Sequence, residues 1–328
     1  MALNIVRAAH AEVRVTDLGR AQTFYVDVLG FVETARDAER IYLRGYEERE
    51  HHSLILRHAA SPGLGHIAFH VASSADLDEL ARLYASRSLA HCWVEAGEER
   101  GQGEALRVQD PCGLPVEFYH DMQPAERLLR RYDLQRGARV MRLDHFNVQA
   151  PDVRAAYAWY HDNLGFWLSE YTETEGPEAR LWSAYLRRKQ TVHDIAVMSG
   201  AGPRLHHIGF AVREEMDILR ACDILAAAGY GHAIERGPGR HGLTNALFLY
   251  LRDPDGNRIE LCAGDYLVSD PDQPPQRWSI NDPRRSTFWG HTPPASWFND
   301  AALVEDILTG ELLPTSPTTL QDRPDFIT

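Results

Sequence analysis

The chain is 328 residues long, 44% hydrophobic and 25% charged, with a formal net charge of -13. Such a length can bury a large core without disulfide or metal staples, and the acidic balance repels polyphosphate, which excludes nucleic acid as an expected partner. No apolar run approaches the roughly 20 residues needed to span a bilayer, so no membrane association is expected.

At the N-terminus, residues 1–7 show no basic stretch followed by an apolar one, so no secretory leader is expected. Residues 10–31 then read HAEVRVTDLGRAQTFYVDVLGF, and residues 145–166 read HFNVQAPDVRAAYAWYHDNLGF. Both begin with His, place Asp seven residues later (Asp17, Asp152) and end Leu-Gly-Phe, at an offset of 135 residues. The chain therefore reads as two homologous halves. Val13 and Val15 alternate as on a half-buried strand, while Leu18, Ala21, Phe24, Tyr25 and Val28 recur at helical spacing before a capping Gly30. Further on, GHIAFHV (65–71) pairs with HHIGFAV (206–212), and RVQDPCGLPVEFY (107–119) pairs with YLRDPDGNRIELC (250–262). Asp110-Pro111-Cys112-Gly113 and Asp253-Pro254-Asp255-Gly256 are read as turns between strands.

The expected fold is α+β: four βαβββ-like modules, paired into two similar domains. These are assigned to residues 1–135 and 136–266, with a tail at 267–328 where Pro, Asp and Trp accumulate and periodicity fades. The four cysteines (Cys92, Cys112, Cys222, Cys262) form no CxxC pair, which argues against a thiolate zinc site or disulfide framework and points to a reducing cytoplasm.

In the C-terminal half, His145 falls on the first strand, His207 on the first strand of the later module, and Glu260 on that module's last strand. Two imidazoles and one carboxylate leave several positions of a divalent ion open. That set suits Fe(II) or Mn(II) when a substrate and dioxygen must both bind. The N-terminal half offers His10, His66 and Glu117 at the corresponding positions. His52 corresponds to His193, each lying 14 residues before the next ligand position. The repeat alone does not say which half holds a metal.

The segments IVRAAHAEVRVTDL, YVDVLGF, IYLRGYEEREHH, RLDHFNVQAPDV, RRKQTVHD, RLHHIGF, IERGPGRHG, LYLRDPDGNRIE and DYLVSDPD resemble the vicinal oxygen chelate (glyoxalase-like) superfamily. Within it they resemble the type I extradiol ring-cleaving dioxygenases, and look most like the homoprotocatechuate 2,3-dioxygenases and their manganese-dependent relatives. The resemblance implies one Fe(II) or Mn(II) per subunit, held by His145, His207 and Glu260 of the C-terminal half. It also implies a small-molecule catechol and O2 as partners, and assembly as a homotetramer. Residue by residue, it implies an acid–base role for His193, a hydrogen-bonding role for Tyr250, and a place for Asn147 beside the substrate and that histidine. Arg236 and His241 match groups that hold a substrate carboxylate, which makes 3,4-dihydroxyphenylacetate the leading substrate, cleaved next to its diol.

The chain departs from that pattern in three places. Tyr185 stands where the family has a tryptophan lining the pocket. Arg284-Arg285 lies one residue farther from Trp289-Gly290, so a gapless alignment puts Ser286 where the family's second carboxylate-binding arginine, here Arg285, is expected. The chain also stops before the family's long C-terminal tail ends. In the N-terminal half Asn147 is replaced by Glu12 and Tyr250 by Arg107, and only the C-terminal half of the family carries metal. Two alternatives use the same fold: a dioxygenase for another catechol (protocatechuate-like or neutral), and a metal-dependent isomerase or lyase, which would draw ligands from four positions and need no oxygen.

Overall fold

The computed structural model describes residues 3–270 and 272–320. In the N-terminal half, β1 (Ile5–Val15), α1 (Leu18–Gln22), β2 (Val32–Arg36), β3 (Arg40–Arg44) and β4 (Leu54–His58) form one module. The second module is β5 (Gly63–Val71), α2 (Ser74–Ser86), β6 (His91–Val94), β7 (Ala105–Gln109) and β8 (Pro115–Tyr119). The C-terminal half repeats the series. Its first module is β9 (Val140–Ala150), α3 (Val153–Ala158), β10 (Trp167–Glu173), β11 (Leu181–Arg187) and β12 (Ile195–Ser199). Its second is β13 (Arg204–Val212), α4 (Met216–Ala227), β14 (Ile234–Arg240), β15 (Leu247–Arg252) and β16 (Arg258–Ala263).

Each half is one mixed sheet. The orders are β2-β3-β4-β1-β5-β8-β7-β6 and β14-β15-β16-β13-β9-β12-β11-β10, so the first strands of the two modules pair antiparallel at the centre. This is the expected α+β arrangement of paired βαβββ modules. The first helix of each half starts at the repeated aspartate. Asp17 accepts a hydrogen bond from the Arg20 amide at 2.9 Å and Asp152 from the Ala155 amide at 3.0 Å, satisfying an otherwise orphaned helix donor. Where the sequence suggested an uninterrupted helix to Val28, residues 23–28 widen into a π-helical turn. Gly30 follows at φ +83°, and a Cβ there would collide with the Arg136 backbone.

One hydrophobic cluster runs through both halves, with Phe31 edge-on to Phe210 at 4.9 Å and Phe69 to Phe146 at 5.9 Å. The two Asp-Pro-x-Gly turns lock the halves reciprocally. The Tyr25 hydroxyl donates to Asp253 and the Tyr160 hydroxyl to Asp110, both at 3.0 Å.

The C-terminal segment is more structured than its fading periodicity suggested. β17 (Gln276–Ser279) adds parallel to β10, α5 (Pro283–Ser286) and α6 (Ala295–Asn299) follow, and β18 (Ala302–Leu303) pairs with β13. Trp297 and Phe298 of α6 are buried. The segment's last eight residues lie outside the described residues. All four cysteines are unpaired thiols. No helix among the described residues is long and apolar enough to cross a membrane.

Candidate active site

His145, His207 and Glu260 sit on three neighbouring central strands, β9, β13 and β16, because register brings them together. Gly209 lies opposite both His145 and Glu260, and His207 lies opposite Asn147. A Cβ at Gly209 would overlap the His145 ring, so the glycine makes the space this imidazole fills. His145 Nε2 is 3.2 Å from His207 Nε2 and 3.0 Å from Glu260 Oε2, and His207 Nε2 is 3.1 Å from that same oxygen. Ligand atoms about 2.1 Å from a divalent ion and at right angles to one another are separated by about 3.0 Å. The three atoms thus form one face of an octahedron, with the opposite face toward the cavity. The donor set and its spacing fit Fe(II) or Mn(II).

Each ligand imidazole is oriented from behind. His145 Nδ1 bonds Asp144 Oδ2 at 2.9 Å. His207 Nδ1 faces His206 Nδ1 at 2.7 Å, and His206 Nε2 donates to the Trp297 carbonyl at 2.8 Å. Burial opposes a charge on His145, but hydrogen bonds to Asp144 and Glu260 outweigh it and lift the imidazole to about 9. Burial likewise opposes ionisation of Glu260, yet bonds from His145 and His207 hold it well below the carboxylate range. A cation is strongly favoured at this spot, and a metal ion would displace the proton. Asp144 and His206 were not singled out from sequence, although each immediately precedes a ligand, in LDH and LHH.

The triad opens on a cleft lined also by Asn147, Tyr185, His193, His241, Tyr250 and Arg285. His193 stacks obliquely on His145 with ring centroids 4.1 Å apart, and Tyr185 meets its edge at 5.2 Å. Burial, reinforced by His145, pushes its imidazole well below the usual range, so it is neutral. The loop that carries it is anchored by Asp194, which accepts from the Ala8 amide of β1 at 2.7 Å and from Lys189 Nζ at 3.0 Å. The Asn147 Oδ1 atom is buried without a hydrogen-bond partner.

Tyr250, opposite Glu260 in the β15–β16 pairing, bonds His241 Nε2 through its hydroxyl at 2.8 Å. Burial and the Glu260 charge push its phenol well above its usual value, so it remains a donor. Burial also raises Tyr185, to about 12.

The two arginines separate. Arg236 does not line the cleft. Its Nη2 donates to the Ser286 carbonyl at 3.0 Å and to the Thr287 hydroxyl at 2.7 Å, and its guanidinium lies 4.5 Å from the Trp297 ring. It ties the α5 turn to β14. Arg285 lies on the lining, 3% exposed, with its guanidinium 4.9 Å above Trp182 and its Nε without a partner. Ser286, which the gapless alignment favoured, also lines the cleft but is engaged by Arg236. Trp182 and Trp297 complete the apolar walls; neither was legible as a site residue.

The model of the Glyoxalase/Bleomycin resistance protein/Dioxygenase superfamily matches residues 7–118 and 142–261. The manganese-dependent 2,3-dihydroxybiphenyl 1,2-dioxygenase of Geobacillus genomosp. 3 is 34% identical over 88% of this chain and 95% of its own. A metapyrocatechase of Pseudomonas sp. (strain CF600) is 32% identical over 94% and 99%. Among solved structures, homoprotocatechuate 2,3-dioxygenase from Arthrobacter globiformis superposes with TM-score 0.91 at 41% identity, covering 96% of each chain. An extradiol ring-cleaving dioxygenase from B. fuscum gives 0.93 at 40% identity, over 97% of this chain and 88% of its own. With the repeated fold and the open two-histidine, one-carboxylate face, these likenesses place the chain in the glyoxalase/bleomycin resistance protein/dioxygenase superfamily, as a member of its extradiol dioxygenases.

Proposed function

We propose that the enzyme cleaves a catechol bearing an acidic side chain, with 3,4-dihydroxyphenylacetate as the leading substrate, at the bond next to the diol and with both atoms of O2 incorporated into a muconic semialdehyde product. The observation that carries this reading is the pairing, within one cleft, of an open metal-ligating face with the buried guanidinium of Arg285. A single Fe(II) or Mn(II) held by His145, His207 and Glu260 would supply adjacent positions for the catechol oxygens and dioxygen and would stabilise their negative charge.

The chain's own residues do the rest. His193, neutral and beside the open face, accepts a proton from the bound catechol and returns it to the oxygen end of the reaction, a task suited to imidazole. Asn147 orients that histidine or the substrate with its free amide oxygen. Tyr250 lines the opposite wall, its hydroxyl proton given to His241 Nε2, whose other nitrogen donates to the Ser286 carbonyl. Trp182, Trp297 and Tyr185 exclude water and flank the ring. A guanidinium can grip a carboxylate through two parallel hydrogen bonds and so fix the ring's rotation over the metal. Arg285 supplies that grip, with His241 nearby, while Arg236 braces the turn that presents it.

Anaerobic incubation with 3,4-dihydroxyphenylacetate should give a bound complex and no yellow product until oxygen is admitted. An isomerase or lyase would be indifferent to oxygen. In a panel of catechols, the carboxylated ones should be preferred, and Arg285→Ala should erase that preference by about 10–100-fold in kcat/KM, in line with ~1.5–3 kcal/mol for a charged hydrogen bond. Arg236→Ala should act in the same direction, through Arg285. Should plain or alkyl catechols turn over best in the unaltered enzyme, the acidic-substrate reading fails even if ring cleavage stands. Sedimentation of the purified enzyme reads the expected homotetramer.

A further inference from the structure

The N-terminal half repeats the ligand pattern, but the structure adds a fourth group to it. His10 on β1, His66 on β5 and Glu117 on β8 converge as their counterparts do, and Glu99, from the loop between β6 and β7, points into the same spot. The four side chains are 0%, 0%, 0% and 1% exposed, in that order. His10 Nε2 is 3.2 Å from His66 Nε2, 3.3 Å from Glu117 Oε1 and 3.5 Å from Glu99 Oε2. His66 Nε2 is 3.8 Å from Glu117 Oε1 and 3.5 Å from Glu99 Oε1. Glu99 Oε2 has no hydrogen-bond partner although it is buried.

The two clusters share a His–His separation of 3.2 Å, but the carboxylate oxygens stand farther off in this one, at 3.3–3.8 Å against 3.0–3.1 Å. Four ligands at about 2.0–2.1 Å around a tetrahedral ion are separated by about 3.3 Å, whereas neighbouring ligands of an octahedral ion lie about 3.0 Å apart. The catalytic triangle has the shorter carboxylate spacing and one open face. The N-terminal cluster has the longer spacing, four groups and no exposed member. We propose that His10, His66, Glu99 and Glu117 form a second, closed, four-coordinate site for a divalent cation of the zinc type, structural rather than catalytic.

Charge supports the assignment. Two carboxylates buried side by side need positive compensation. Arg107 provides one charge from the outside, donating to Glu117 Oε2 and, at 2.8 Å, to Glu99 Oε1. With both imidazoles neutral the cluster remains one charge short, on the inner side where the imidazole nitrogens converge. A divalent ion or a proton on His10 must fill that place. Among first-row divalent ions, zinc binds a nitrogen–oxygen set of this kind more tightly than iron or manganese does and accepts four-coordination readily. The rings are held by packing instead of by Nδ1 hydrogen bonds: His10 lies against His52 at 4.9 Å and Tyr119 at 5.2 Å. The ion would pin the Glu99 loop to the sheet centre, where Arg107 occupies the place that Tyr250 takes in the catalytic half.

Elemental analysis tests this on full-length enzyme produced with zinc, iron and manganese all supplied and then freed of loosely bound metal by gel filtration. Two ions per chain are expected, one of them zinc with a four-coordinate nitrogen and oxygen shell by X-ray absorption. Glu99→Gln should lose the zinc and keep the second ion together with dioxygenase activity. His207→Ala should lose the catalytic ion and keep the zinc, which makes the test independent of whether the Glu99 variant folds. One ion per chain in the unaltered enzyme with none in His207→Ala, or a zinc content unchanged by a folded Glu99→Gln, would overturn the proposal.

Discussion

Replacing His206 with leucine should weaken metal binding at the catalytic triad, although His206 does not face the ion. The Trp297 carbonyl can only accept, so His206 Nε2, 2.8 Å away, must carry a proton. Burial and the Arg258 charge hold His206 well below its usual range, so the ring is neutral and its Nδ1 is an acceptor. The 2.7 Å contact therefore requires a proton on His207 Nδ1, which leaves the His207 Nε2 lone pair directed at the ligand face. Leucine removes both links. It strands a buried N–H and a buried carbonyl, at about 1–3 kcal/mol each, and frees His207 to place its proton on the wrong nitrogen. Loss of such an outer partner typically lowers metal affinity 10–100-fold, or about 1.4–2.7 kcal/mol. Competition with a chromophoric chelator measures the loss, and thermal unfolding of the metal-free protein separates it from the stability cost. Glutamine at 206 can offer its oxygen to His207 and its amide to Trp297, and should recover most of the affinity. A leucine variant that folds and binds metal within twofold of the unaltered enzyme would refute the relay.

Gly209→Ala should act from the other side, its methyl displacing the His145 ring and cutting metal retention without unfolding the sheet; an unchanged metal content would show that the ring needs no such space. His193→Asn should keep metal and catechol binding but slow turnover by about 10²–10⁴-fold in stopped-flow measurements, the range for a positioned acid–base group. The interdomain turns should show in the pH dependence of stability. Burial raises Asp110 and Asp253 to about 6 from 3.8, so their favourable contribution is present below pH 4 and lost as pH rises through 6. Asparagine at both positions keeps, through its one oxygen, the bonds from the turn amides and removes the titration, while giving up the second acceptor that Tyr160 and Tyr25 use. The double variant should therefore gain on the unaltered enzyme between pH 4 and 7, by on the order of 2–3 kcal/mol per site. A stability difference flat across that range would sink the assignment.

The repeat, the α+β modules and the two sets of strand-borne histidines and glutamates can all be read from residue order alone. Repeat-related positions marked His145, His207 and Glu260 as strand-borne candidates, and the resemblance to extradiol dioxygenases joined them into one ligand set. The Asp-Pro-x-Gly turns were legible from local composition, whereas Asp17 and Asp152 stood out only as repeat landmarks and their capping role came with the structure. Groups that arrive from irregular segments depend on packing between distant parts of the chain. Glu99 sits in a polar turn with no periodicity, and its approach to His10 depends on how the β6–β7 connection folds back over the sheet. Trp297 and Arg285 lie beyond the last repeat, where pairing with β10 and β13 and packing against β14 fix the path of the chain. Arg236 and Arg285 show the limit most sharply. Both guanidiniums are carboxylate-binding candidates in the sequence, and only the packing of α5 against β14 shows that Arg285 faces the cleft while Arg236 holds the turn.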